Sequence, residues 1–142
     1  MLLAACGEPI VGGSPFANTP PTVEPIADVT TNEDTPATAS VVLTDAESTD
    51  VLVVTATSSD ESVIPNGGVV VSGAGATRTI TLTPALNVSG ATTITVTIAD
   101  EDDYVTTETF VVTVVAVDDP PTITAVDDLT IDEDTSTAPI AF

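Results

Sequence analysis

Pro20-Pro21-Thr22 and Asn32-Glu33-Asp34-Thr35 return downstream as Pro120-Pro121-Thr122 and Asp132-Glu133-Asp134-Thr135, at a constant offset of 100 residues. Between these anchors the copies also share Asp28 with Asp128 and Thr30 with Thr130, and set Val29 against Leu129. A fixed offset with no insertion or deletion means a repeating unit the size of one small domain, set in an array. It divides the chain into residues 20–119 as a complete unit and 120–142 as the truncated start of a second. Gly12-Gly13-Ser14-Pro15 places a flexible linker over 7–19.

The unit is acidic and aliphatic. One Lys or Arg stands against 22 Asp and Glu, a formal net charge of −21. Such a surface repels nucleic-acid phosphates and anionic lipid head groups, which excludes nucleic acid as a partner and leaves membrane contact to a lipid anchor. Acidity alone would suggest disorder, but 42% hydrophobic residues argue for a packed body. These are mostly Val, Ile, Leu and Ala beside abundant Thr, with 3% aromatic, so the composition favours strands and an aliphatic core.

Turn-rich clusters cut residues 20–119 into short β segments. Strands are predicted over 22–30, 38–43, 51–57, 69–72, 77–83, 92–98 and 105–117, with Asn32 to Pro36, Pro65-Asn66-Gly67-Gly68 and Asp100 to Tyr104 as turns. Thr77, Thr79, Thr81 and Thr83 alternate with Arg78, Ile80 and Leu82, which aims Ile80 and Leu82 at a core. Arg78 reads as a lone cation on a strand face, paired with a neighbouring acid. No segment has helical periodicity. Seven strands at this spacing predict an all-β fold, an immunoglobulin-like Greek-key sandwich.

The stretches Asp28 to Thr35, Thr44 to Ser48, Asn66 to Gly75, Ile94 to Asp100 and Val114 to Pro121 resemble, in order and spacing, the tandem cadherin-like or immunoglobulin-like repeats of large bacterial surface and secreted proteins. The resemblance implies a non-enzymatic extracellular module that spaces or adheres, with neighbouring repeats, other cell-surface proteins or glycans as partners. It also implies calcium between successive domains. On that pattern Glu33, Asp118 and Asp119 are the candidate ligands this unit gives to the junction below it, and Asp45, Glu47, Asp100 and Asp102 are the receiving half for the junction above. The turn from Pro84 to Gly90 departs from the cadherin pattern, offering only Asn87 where cadherins carry an acid pair.

Met1-Leu2-Leu3-Ala4-Ala5-Cys6-Gly7 resembles a bacterial lipobox, so residues 1–6 read as the remnant of a lipoprotein signal and Cys6 as the candidate lipidation site. The expected location is extracellular or at the cell surface, lipid-anchored to the outer membrane through Cys6. An alternative function is that of a glycan-binding accessory module on a secreted enzyme, for which Tyr104 is the available aromatic. The chain itself is read as no enzyme. It has no His for a Ser-His-Asp triad, and pairing Asp100-Glu101 with Asp45-Glu47 as glycosidase carboxylates lacks an aromatic platform.

Overall fold

The computed structural model describes residues 18–46, 51–123, 128, 130–136 and 139. Its strands are β1 (Thr22–Val23), β2 (Val29–Asn32), β3 (Ala37–Thr44), β4 (Val53–Ser58), β5 (Val69–Ser72), β6 (Thr77–Leu82), β7 (Gly90–Ala99) and β8 (Val105–Val115). A 3₁₀ turn, Asn66–Gly68, precedes β5. Two four-stranded sheets face each other, one in the order β1-β3-β6-β5 and the other β2-β8-β7-β4. All neighbours are antiparallel except β2, which runs parallel to β8. This is the immunoglobulin-like sandwich that the turn spacing predicts.

The strand predicted over 22–30 is divided, and its halves belong to different sheets. The ladder on β3 ends with the bond from the Glu24 amide to the Val42 carbonyl, and the next residue is Pro25, whose ring fixes φ where the chain leaves the sheet. Ile26 then turns inward and is buried between the sheets. Asp28 catches the chain on the other side: its Oδ1 accepts the Val111 amide at 2.8 Å, one residue before β2 joins β8. The other predicted strands are present with shifted ends, β4 starting at Val53 rather than Val51 and β8 stopping at Val115 rather than Val117.

Alternation sets the core. On β7, Thr92, Ile94, Val96 and Ile98 point inward, and on β8 Phe110, Val112 and Val114 do the same. They meet Val41 and Leu43 from β3 and Ile80 and Leu82 from β6 in one cluster. Arg78 shares the inward face of β6 and is 6% exposed, so this strand-face cation is buried. Its Nη1 donates to the Gly75 carbonyl and its Nη2 to the Leu52 carbonyl.

Gly68 shows why the 3₁₀ turn needs glycine. A Cβ there would lie 2.5 Å from the Thr83 carbonyl oxygen, which no side chain tolerates. The close approach lets the Thr83 amide bond the Gly68 carbonyl at 2.8 Å, joining the β5 entrance to the end of β6.

Candidate functional site

Loops gather at two poles, and both ends of the unit are tied there. At the first pole the chain enters. Asn18 donates its Nδ2 to Asp100 Oδ2 at 2.9 Å, and Thr106 Oγ1 donates to the Pro21 carbonyl at 2.6 Å. Pro21 is fully buried, so the Pro-Pro step is a plug in the sandwich. Asp45 follows β3 here, since Thr44 pairs with Thr22, and the β7–β8 hairpin supplies Asp100, Glu101, Asp102 and Asp103.

Asp100 organises this pole. It is 7% exposed, and its Oδ1 accepts the amides of Asp102 and Tyr104, each at 2.9 Å. The backbone pair Asp100–Tyr104 closes the loop with a 3.1 Å bond, and Asp103 adopts positive φ (65°), which Asp accepts more readily than most residues. One carboxylate thus fixes the hairpin and, through Asn18, the incoming chain. Hydrogen bonds to a charged acceptor are among the stronger ones. We therefore expect Asp100→Ala to lower unfolding free energy by about 2 kcal/mol. Asn18→Ala should lose less, and adding it to Asp100→Ala should cost almost nothing further. Urea denaturation of the four proteins checks this cycle, and full additivity would mean the two side chains act separately.

At the opposite pole the chain leaves. Glu33, in the turn after β2, is 8% exposed; its amide donates to the Val115 carbonyl at 2.9 Å and its Oε1 accepts the Val117 amide at 2.7 Å. Glu33 therefore holds the strand end that leads to Asp118 and Asp119, both exposed. Beside it, Asp34 Oδ1 accepts the Asn87 amide at 3.0 Å and joins two turns of this pole.

Of the candidate calcium ligands, then, Asp45, Asp100 and Asp102 lie at the first pole and Glu33, Asp118 and Asp119 at the second. Glu47 lies outside the described residues, as does Cys6. Among the described residues no three carboxylates converge as a ready-made cation site. Asp100 is occupied by two backbone amides and an asparagine, and Glu33 by one amide. Asp102 is exposed to solvent and Asp45 is half-buried.

A hydroxyl hub at the second pole has no signal in the sequence beyond its Ser and Thr content. Thr92, 4% exposed, brings its Oγ1 to 2.9 Å from Ser58 Oγ and 3.2 Å from Ser59 Oγ, and accepts the Asp60 amide at 3.0 Å. The connection leaving β4 is fixed there. Asp60 then accepts both the amide and the hydroxyl of Ser62, at 2.9 and 2.6 Å.

The Ser62 hydroxyl, more than its amide, holds the Asp60 carboxyl below the usual aspartate range. Folding thus favours the ionised form. This contribution is present above the unfolded aspartate pKa of about 3.9 and is lost as pH falls through the lower folded value. Asp60→Asn should be less stable than the wild type at neutral pH, and the gap should close in acid. Urea midpoints on both sides of the transition test the sign; a constant gap would show that ionisation plays no part.

The comparisons agree with this geometry. Residues 18–113, more than half of the chain, match the bacterial Ig domain family, and the chain belongs to it. The matched region opens at Asn18, the residue bonded to Asp100. The fold is similar to that of a chimeric titin Z1Z2 carrying an exogenous decorin peptide, with a TM-score of 0.52 at 19% identity over 72% of this chain and 100% of that one. Domains 4 and 5 of the S-layer protein SbsC match with a TM-score of 0.52 at 25% identity over 68% of this chain, which spans 54% of theirs. SbsC domains 1–6 match with a TM-score of 0.50 at 27% identity over 70% of this chain and 14% of that one. No curated protein matches significantly. Among the described residues, no helix is long and apolar enough to cross a membrane.

Proposed function

We propose that this unit is a non-enzymatic extracellular spacer of a bacterial surface protein, joined end to end with further repeats and stiffened by calcium at the junctions. The observation that carries the reading is that both chain ends are locked to opposite poles, through Asn18–Asp100 and Glu33–Val117. A spacer needs that: the directions in which the chain enters and leaves are fixed by the sandwich. The similarity to domains of an S-layer protein supports a place at the cell surface.

The calcium part rests on one substitution between the copies. One repeat after Asn18 stands Asp118. In this unit the entrance is closed by an amide bonded to a carboxylate. If the following unit keeps an aspartate at the position of Asp100, its entrance sets carboxylate against carboxylate. Such a pair repels unless a cation bridges it, and calcium takes oxygen ligands of this kind. Glu33, Asp118 and Asp119 would serve that junction, while Asp45, Glu47, Asp100 and Asp102 would face a unit upstream.

Calorimetry of this unit joined to its natural successor, with and without millimolar calcium, is the test. A higher melting temperature in calcium, lost in Asp118→Asn, is the expected result. An unchanged melting temperature would end the calcium reading and leave the spacer. Anchoring through Cys6 is tested apart from this, by lipid labelling of the full-length parent and of Cys6→Ser. Tyr104, 48% exposed on the acidic hairpin, keeps glycan binding as the second reading, and a glycan array probed with the single unit separates the two.

A further inference from the structure

Three of the four sheet edges are protected and one is not. β1 has two residues and ends at a proline, and β2 and β5 have four each. β4 has six, Val-Val-Thr-Ala-Thr-Ser, with no charge and no proline, paired residue for residue with β7 without a bulge. A row of open N–H and C=O groups is a template for another strand, and short strands, charges, prolines or bulges are the usual protection. β4 carries none of these.

The bond from the Ser59 amide to the Thr93 carbonyl fixes which groups are open. It directs the backbone groups of Val53, Thr55 and Thr57 toward β7, and those of Val54, Ala56 and Ser58 outward. The Ser58 amide is satisfied by Asn66 Oδ1 at 2.9 Å, and the Leu52 carbonyl accepts Arg78 Nη2. Between these stops lie the outward N–H and C=O groups of Val54 and Ala56, which no hydrogen bond from the described residues reaches.

We propose that β4 docks antiparallel on β4 of a second copy of this chain, about a two-fold axis at Thr55. Val54 then pairs with Ala56 of the second copy and Ala56 with Val54, so all four open groups are satisfied. Shifting the register either way would oppose Val54 to Ser58 or Ala56 to Leu52, where a group is already engaged. The contact is isologous and closes as a dimer. It joins the two four-stranded sheets into one of eight strands.

Charge placement permits the approach. Among the acids of the described residues only Glu108 lies within a strand. The outer face of the β2-β8-β7-β4 sheet carries the ranks Thr55–Thr97–Thr107 and Thr57–Thr95–Thr109 and no charged residue. A typical surface is about 25–35% charged. Two copies at −21 meet most readily where no carboxylate stands. The antiparallel arrangement carries Asp60, just beyond the C-terminal end of β4, toward the first pole of the second copy, which holds Asp45 and Asp100, so acids of the two copies still repel and association strengthens as salt screens them.

Residue 55 meets itself across the axis, which supplies the test. Sedimentation equilibrium of the full chain at moderate salt should show mass rising with concentration from 14.3 kDa toward twice that value. Thr55→Glu and Thr55→Lys, each setting like charges opposite each other, should stay monomeric alone, and an equimolar mixture should regain the doubled mass. Ala56→Pro removes an outward N–H without touching the β7 ladder and should be monomeric at any salt. Circular dichroism confirms that the variants stay folded. A wild type at 14.3 kDa at every concentration and salt, or a mixture no heavier than its components, overturns the proposal. End-to-end joining through the poles leaves Thr55 untouched, so the two kinds of assembly fail independently.

Discussion

Phe110→Ala should lower the stability of the unit by about 3–5 kcal/mol, more than any other single truncation in this core. The chain has three Phe, one Tyr and no Trp; Phe16 and Phe142 lie outside the described residues and Tyr104 is exposed. Phe110, 2% exposed, is therefore the aromatic of the described core. It stands on β8 directly opposite Ile94 of β7, which is fully buried. The rest of the cluster is Val, Ile, Leu and Ala, whose short side chains cannot reach across the space a phenyl ring leaves. The loss combines the forgone burial of the ring with the cost of the cavity it leaves behind. In a domain with about 5–15 kcal/mol in hand this is a large share, and it corresponds to a fall in melting temperature of about 15 °C or more. Phe110→Leu keeps most of the volume and should lose about 1–1.5 kcal/mol. Thermal and urea unfolding of both variants give the comparison; a Phe110→Ala loss under about 2 kcal/mol would mean that the sheets close over the void.

What is legible in the sequence follows from which interactions have a period. Alternation from Thr77 to Leu82 reveals a strand and its inward face because β pleating repeats every two residues. The same alternation puts Arg78 on the inward side, where burying charge is costly without partners. Two of its bonds go to the carbonyls of Gly75 and Leu52, and backbone acceptors leave no mark on residue identity. The split of residues 22–30 has a local sign in Pro25, but the switch of sheet depends on Asp28 reaching Val111, a contact 83 residues away. Among the described residues Asp45 and the β7–β8 hairpin acids share one pole and Glu33, Asp118 and Asp119 lie at the other, since strand order alone puts those loops together. What each carboxylate does there is hidden: Asp100 and Glu33 hold backbone amides and so are structural in this unit. Asn18 reads as tether because its Asn-Thr-Pro-Pro setting has linker composition. Its amide reaches Asp100 across 82 residues, and pairings that distant are set by the finished fold.

Arg78→Ala should cost about 3 kcal/mol, from two sources that a second substitution separates. One is packing. The side chain lies 6% exposed on the face of β6 that carries Ile80 and Leu82, so truncation leaves a void beside the core. The other is polar: the guanidinium donates to the Gly75 carbonyl in the β5–β6 turn and to the Leu52 carbonyl just before β4. Removing it withdraws donors from two segments that lie far apart in the chain. Arg78→Met fills most of the volume without the donors, and Arg78→Lys keeps the charge without the planar fork. If the fork contributes more than the packing, Met and Lys should both remain well below the wild type; if packing dominates, Met should recover most of the loss. Hydrogen exchange locates the effect. Faster exchange confined to the β5–β6 turn and the start of β4 is expected for the polar source, because those are the segments the guanidinium ties. Uniform acceleration across β3, β6 and β7 would instead mark Arg78 as one more core side chain. The first outcome gives the only basic residue of a chain at −21 a defined structural role, fastening the pole that carries Asp45 and Asp100 to the body of the sandwich.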